Sequence, residues 1–263
     1  MIIHLVYDQS FDDILREEGI NLMLSFAVIS KDPFSVKIPE GFKKVMIDSG
    51  GFQLQTGVKT GRDISLSAYA AWLKFAIPKY PEIVAYMNMD ILGDTAQSIK
   101  NMEWLESEGL HPLPVWHPGE GMELLDKYCK KYPYIAVGGI AGKAKRNSAD
   151  MKPMFESILT RHPETKFHLL GIGITASTAL RSFRPYSVDF STWVNVYKFG
   201  HGLDWDKDGL LREYQLPQED RDRIRVDKEF KKKVVRETIK KLKIFADRIE
   251  EFHDPHQIQF NLE

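Results

Sequence analysis

The feature that most restricts this chain is a set of eight short apolar runs, each nearly unbroken and most of them closed by Gly, Asp or Pro. They are IIHLVY near the start, LMLSFAV at 22–28, KVMIDSG at 44–50, IVAYMNMD at 83–90, HPLPVWHPG at 111–119, YIAVGG at 134–139, FHLLGIG at 167–173 and YSVDFST at 186–192. A run that is apolar almost throughout, instead of alternating, marks a strand covered on both faces, as in a parallel sheet. Helix-like segments separate the later runs: SAYAAWLKFAIPKY, TAQSIKNMEWLESEG, GMELLDKYCKKY, ADMKPMFESILTRH and TASTALRSF. Ser67, Asp94 and Asp150 stand where N-caps are wanted. Eight strands with helices between them predict an α/β chain, a TIM-type (β/α)8 barrel. A doubly wound open sheet is the competing arrangement, but no GxGxxG opens a helix after the first strand. The 263 residues fit one such domain spanning 1–263.

Polar residues and glycines gather at the ends of the runs: Asp48, Asp90, His117, Gly138, Gly139, Gly171 and Asp189. A barrel builds its active site at that end of its strands. In Asp48-Ser49-Gly50-Gly51-Phe52-Gln53 a strand-end carboxylate is followed by two glycines. These let a ligand approach the backbone closely, with N–H groups as donors. Phe52 can present a flat face to a planar ring. Taken singly, DSGG is also an ordinary turn, Asp90 an ordinary capping carboxylate and Phe52 an ordinary core residue.

Charge narrows the partners. With 36 basic and 37 acidic residues there is no global field to draw the chain to nucleic acid, so such binding needs a local patch. Lys143, Lys145 and Arg146 in KAKRN form one, an exposed loop by default. Lys198 and His201, with Trp193 and Tyr197, are weaker candidates beyond Asp189, and Trp193 reads as packing. Residues 200–227 are polar and rich in turn formers, so a long loop or extension is expected there. Residues 228–252 read as one amphipathic helix with Phe230, Val234, Ile239, Leu242, Phe245 and Ile249 near one face. Its other face carries Lys231, Lys232, Lys233, Arg236, Lys240, Lys241 and Lys243, either solvated or in contact with phosphates.

A single cysteine, Cys129, excludes an intrachain disulfide and a multi-cysteine zinc site. The first residues have too short an apolar run for a signal peptide, and no stretch approaches the roughly 20 apolar residues that cross a membrane. A cytoplasmic protein with no membrane partner is the expectation.

The heptapeptide at Ile47–Gln53 closely resembles the DSGGFQ signature of the tRNA-guanine transglycosylase superfamily. Four further motifs follow in register over roughly residues 44–193. YMNMDI resembles the strand whose Asp recognises the substrate base, which points to Asp90. IAVGGIAG resembles the AVGGLA turn whose backbone contacts the heterocycle, which points to Gly138 and Gly139. FHLLGIG resembles HYLMGVG, in which the residue before the Gly packs on the base; that is Leu170, before Gly171. YSVDFSTW stands where the family keeps its nucleophilic aspartate, which selects Asp189. The departures are as informative. The Cys3His zinc site of the tRNA enzymes is missing, the Pro-Thr-Arg stretch after the nucleophile is replaced by FSTWVNVYKFGHG, and VWHPGE puts His117 where a base-binding Gln is expected. A compact, zinc-free form with HPGE is similar to the 7-deazaguanine DNA transglycosylases (the DpdA family) of phages and bacteria.

The resemblance implies base exchange, guanine in DNA giving way to a free 7-deazaguanine, with no cofactor and no metal. Asp189 would attack C1′ through an oxocarbenium-like transition state to form a glycosyl-enzyme, and Asp48 would carry the proton to and from the base. Asp90 would accept from the guanine N1–H and 2-amino group. The base would first leave the stack, to lie between Phe52 and Leu170. Exchange into tRNA without zinc is the alternative within enzymes. A non-catalytic nucleic-acid-binding partner subunit of the same fold is the alternative of another class. Nothing in the sequence sets the oligomeric state.

Overall fold

The computed structural model describes residues 1–28, 38–51, 64–140, 148–174, 177–182 and 185–252. All eight apolar runs are strands: β1 (Ile2–Val6), β2 (Asn21–Ser25), β3 (Val45–Asp48), β4 (Ile83–Tyr86), β5 (Val115–Trp116), β6 (Tyr134–Val137), β7 (Lys166–Leu169) and β8 (Ser187–Phe190). They form one sheet in the order β4-β3-β2-β1-β8-β7-β6-β5, with every pairing parallel. Parallel neighbours require a crossover between successive strands, and helices supply most of them. They are α1 (Asp12–Glu17), α2 (Leu66–Lys79), α3 (Thr95–Ser107), α4 (Met122–Lys131), α5 (Ser148–Arg161) and α6 (Ser177–Ser182). Asp94 caps α3 through Gln97 N–H, as the sequence suggests. Ser65, not Ser67, caps α2, and α5 begins at Ser148, two residues ahead of Asp150.

The strand order is that of a TIM-type barrel, and the sheet is curled. Its two outer strands are joined by an isolated parallel bridge, Met87 with Leu113, in place of a continuous ladder. Side chains two apart along each strand share a face. On the concave face Met23, Met46, Met87, Val115 and Ala136 pack as one buried cluster, with Leu170 and Tyr134 against it. That cluster spans the interval between β4 and β5. The opposite face, with Leu5, Leu24, Ile47, Val137, Leu169, Val188 and Phe190, joins the larger core under the helices.

After β8 the chain forms an ordered extension and not a long loop. Helix α7 (Thr192–Lys198) leads to an antiparallel hairpin, β9 (His201–Trp205) and β10 (Leu211–Gln215), and then to α8 (Gln218–Val226). The hairpin turn is built by Asp206, whose side chain accepts from the N–H groups of Asp208 and Leu210. Such local side-chain bonding is why a polar, Asp- and Gly-rich stretch can still be ordered. The expected amphipathic helix is α9 (Lys228–Phe252), burying Val235, Ile239, Leu242, Phe245 and Ile249.

Its basic face is partly solvated, and several of its cations are paired with acids of the fold. Lys232 pairs with Asp13 at 2.6 Å, Arg236 with Glu17, and Lys243 with the Glu18 carbonyl at 2.6 Å. Lys241 reaches the Leu203 carbonyl at 2.7 Å and Asp204 at 3.1 Å. The acids of α1 and the hairpin therefore hold the cations that the sequence makes available to a ligand. Among the described residues no helix is long and apolar enough to cross a membrane.

Candidate active site

The concave face carries the candidate residues one step beyond the methionine layer. Asp48 follows Met46 by two positions on β3, His117 follows Val115, Gly138 follows Ala136, and Asp189 follows Ser187. Period-two alternation thus turns a run of ordinary strand positions into a row of polar groups at the C-terminal strand ends.

Asp189 is 5 % exposed, an unusual degree of burial for a carboxylate. Its Oδ1 accepts the Gly171 N–H at 2.7 Å and lies 3.3 Å from His168 Nε2. Gly171 has a φ of 61°, a left-handed conformation that glycine adopts without strain. Across the sheet, His4 on β1 is the register partner of Asp189.

Asp48 ends β3. Burial pushes its carboxyl up to about 6, opposed by the Ser25 hydroxyl and the Gly50 backbone and reinforced by the charges of Asp90 and Asp189. The three acids that the sequence singles out are therefore close enough to feel one another. A carboxyl poised near 6 can both give and take a proton at neutral pH.

Asp90 lies in the loop after β4, and α3 fixes that loop. Ser98 Oγ accepts the Ile91 N–H at 2.7 Å, and Asn101 donates to the Met89 carbonyl at 2.7 Å. Asn88 donates to the Ser98 carbonyl at 2.9 Å. Asp90 Oδ2 is 2.9 Å from His117 Nε2. The other ring nitrogen of His117 faces Glu120 Oε1 at 3.4 Å, and the His117 N–H donates to Glu120 Oε2 at 2.7 Å. Burial lowers the His117 pKa, but Asp90 and Glu120 outweigh it and raise the group to about 9. His117 is thus a cation between two carboxylates, Asp90–His117–Glu120.

The glycines make room for this. A Cβ on Gly51 would lie 2.5 Å from the Asp90 carbonyl, and one on Gly138 would lie 2.9 Å from His117 Nε2. Gly139, with a φ of 67°, would bring its Cβ to 3.1 Å from the His117 ring. Gly50, with a φ of 84°, would collide with Ala27. The buried Ser49 accepts the Gly51 N–H at 3.3 Å and shapes that turn. Leu170 sits half-buried on the concave face beside these groups.

No family model matches the chain, and no curated protein does. The reading of the site therefore rests on its residues.

Of the residues picked out from sequence, the fold brings Asp48, Ser49, Gly50, Gly51, Asp90, His117, Gly138, Gly139, Leu170, Gly171 and Asp189 to one end of one sheet. Phe52, Gln53, Lys143, Lys145 and Arg146 lie outside the described residues. Lys198 is exposed at the end of α7, its ammonium 5.9 Å from the Tyr197 ring. His201 lies on β9, 3.4 Å from Glu213. Trp193 is buried packing, its N–H donating to the Val6 carbonyl at 3.1 Å. Tyr197 donates to Asp8 at 2.5 Å.

Sequence reasoning missed Glu120, His168 and His4. Glu120 was visible in HPGE as an acid three residues from His117. The two histidines were visible as polar residues inside otherwise apolar strands, and His168 is two positions before Leu170, hence on the same face. Among the described residues no three of His, Cys, Asp and Glu converge on a point where they could hold a metal ion.

Proposed function

We propose that the chain is a base-exchange transglycosylase built on a TIM-type (β/α)8 fold, replacing guanine in DNA by a 7-deazaguanine through a glycosyl-aspartate on Asp189. The observation that supports this best is the pairing of two acids held in different surroundings at one sheet end. Asp189 is buried with Oδ1 held by the Gly171 N–H, while Asp48 is raised to about 6. Double displacement at an anomeric carbon needs such a pair, one acid as nucleophile and one as proton carrier.

In this reading Asp189 Oδ2 attacks C1′ as the bond from C1′ to the guanine nitrogen breaks, and the departing base takes its proton from Asp48. The incoming 7-deazaguanine gives its proton to Asp48 and attacks C1′ from the face the first base left. The bond from C1′ to Asp189 breaks as that new bond forms, returning the carboxylate. Two inversions give net retention, and the enzyme is returned with its protons in place.

Asp90 reads the base with the oxygen that His117 leaves free. Its Oδ1 lies 3.5 Å from the position a Cβ would occupy on Gly51, so the bare glycine leaves a planar edge access to it. Asp90 accepts from N1–H and the 2-amino group, a pattern guanine and 7-deazaguanines share. His117, with its two ring nitrogens turned to Asp90 and Glu120, holds the Asp90 carboxylate in place for that reading. The resemblance of IDSGGFQ, YMNMDI, IAVGGIAG, FHLLGIG and YSVDFSTW to the transglycosylase motifs points the same way, and the missing zinc cysteines favour the DNA-acting branch. The target base is flipped out to reach C1′.

Incubation with radiolabelled guanine and either duplex DNA or tRNA tests this directly. Label should enter DNA with the native chain and not with Asp189→Ala. Incorporation into tRNA alone would overturn the DNA substrate, and a fully active Asp189→Ala protein would overturn the mechanism.

A further inference from the structure

Beneath Asp189 the concave face holds a buried polar column that base exchange as described does not use. His168 on β7 is 0 % exposed. Its Nδ1 is 2.7 Å from Ser187 Oγ, and Ser187 Oγ is 2.5 Å from the Tyr134 hydroxyl on β6. Its Nε2 faces Asp189 Oδ1 at 3.3 Å, within ion-pair range but not aligned for a full hydrogen bond, and it has no other hydrogen-bond partner. His4 stacks edge-on at 5.9 Å from the His168 ring.

We propose that His168 is the positioning residue for the Asp189 carboxylate, acting through a hydrogen carried on Nε2. The proposal rests on Asp189 as the reacting acid, but its central claim concerns the resting protein.

The tautomer follows from the donors. A bare Nε2 lone pair opposite an anionic oxygen at 3.3 Å would repel it, so that nitrogen bears the proton when Asp189 is ionised. Nδ1 is then an acceptor, filled by the Ser187 hydroxyl, whose own oxygen accepts from Tyr134. The column runs Tyr134 to Ser187 to His168 to Asp189, every hydroxyl and ring hydrogen pointing toward the carboxylate. The half-buried end at Tyr134 anchors it, since burial pushes the Tyr134 hydroxyl up to about 12 and keeps it a donor. Both His168 and the Gly171 N–H address Oδ1, so Oδ2 is the oxygen they leave for bond formation. A second donor on Oδ1 restricts rotation of the carboxylate and holds Oδ2 in line with C1′.

Two measurements test this. The first needs no activity: 15N NMR of histidine-labelled protein should show His168 as the Nε2–H tautomer, with its shifts moving in Asp189→Asn. An Nδ1–H tautomer, or shifts indifferent to Asp189→Asn, would overturn the proposal whatever the substrate is. The second compares His168→Gln with His168→Leu. Glutamine can offer a side-chain N–H at similar reach, and leucine fills the space without a donor. His168→Leu should lower kcat by about 10- to 100-fold, the range for a hydrogen bond to a charged group, with KM changed little. His168→Gln should recover much of the loss. Equal kcat losses in the two variants at matched thermal stability would overturn the positioning role. Ser187→Ala, which removes only the anchor, should show a smaller kcat loss of the same kind, and an unchanged kcat there would overturn the column. If the native chain exchanges no base at all, the function proposed above fails, and the NMR comparison still decides the role of His168.

Discussion

Asp48 illustrates how a functional carboxyl is set against stability. Its folded value of about 6 lies above its ordinary 3.8, so folding is favoured by its proton. That contribution is complete below about pH 4 and is lost as pH rises through about 6. At pH 8 the ionised group therefore opposes folding by up to about 3 kcal/mol. Asp48→Asn should melt at a higher temperature than the native chain at pH 8 and show no such gain at pH 4, while its exchange rate falls by at least a hundredfold. Thermal melts at the two pH values check the stability half. His117 works in the other direction. Raised to about 9, it stabilises fully below its ordinary 6.5, and its contribution is lost as pH rises through 9. Gly138 depends on the same imidazole. In Gly138→Ala the new methyl would stand 2.9 Å from both His117 Nε2 and Val115 Cγ1. Relief of that overlap should cost about 1–3 kcal/mol and displace His117 from Asp90, raising KM for the base more than it lowers kcat.

Among elements, α9 is the one whose role differs most from its appearance in sequence. A run of lysines along a helix invites a phosphate, yet these lysines meet α1 and the hairpin. Glu18 is the centre of the seam: its carboxylate is 12 % exposed, with Lys243 at 3.4 Å and Arg236 and Lys240 each at 3.8 Å. Glu17, 61 % exposed, pairs with Arg236 at the rim. Glu18→Gln should therefore destabilise by about 1–2 kcal/mol, between the values for exposed and buried pairs, whereas Glu17→Gln should cost under about 0.5 kcal/mol. Chemical denaturation of the two variants measures the difference. The seam also predicts the salt dependence of DNA binding. Lys232→Gln combined with Arg236→Gln should leave the slope of log affinity against log salt unchanged, because both cations are already paired with acids of α1. A slope reduced by about two contacts would show that α9 leaves α1 to bind DNA.

For the whole molecule, the segment after β8 belongs to the fold. Phe245 of α9 meets Phe190 of β8 edge-on at 6.4 Å, and Val235, Ile239, Leu242 and Ile249 are fully buried with it. Arg248 lies over the Trp205 ring at 4.0 Å, tying the hairpin to the same helix. A chain ending at Gly200 would expose that apolar surface and should lose its cooperative thermal transition, which calorimetry would register. Much of the molecule was legible in the amino-acid sequence. The eight strands, the cap at Asp94, α9 and the acids at strand ends all follow from local pattern, because period, capping and glycine chemistry act within a few residues. The hairpin was not legible, since its order comes from Asp206 and from packing on α9. Nor were the seam with α1, the Asp90–His117–Glu120 arrangement or the column below Asp189. Sequence alone determined that this chain builds a parallel α/β sheet with Asp48, Asp90 and Asp189 at one end. Only the tertiary structure decided which of its charges are already taken, and which buried histidine stands behind Asp189, because packing across a curled sheet and between its helices joins residues that the chain keeps 21 to 225 positions apart.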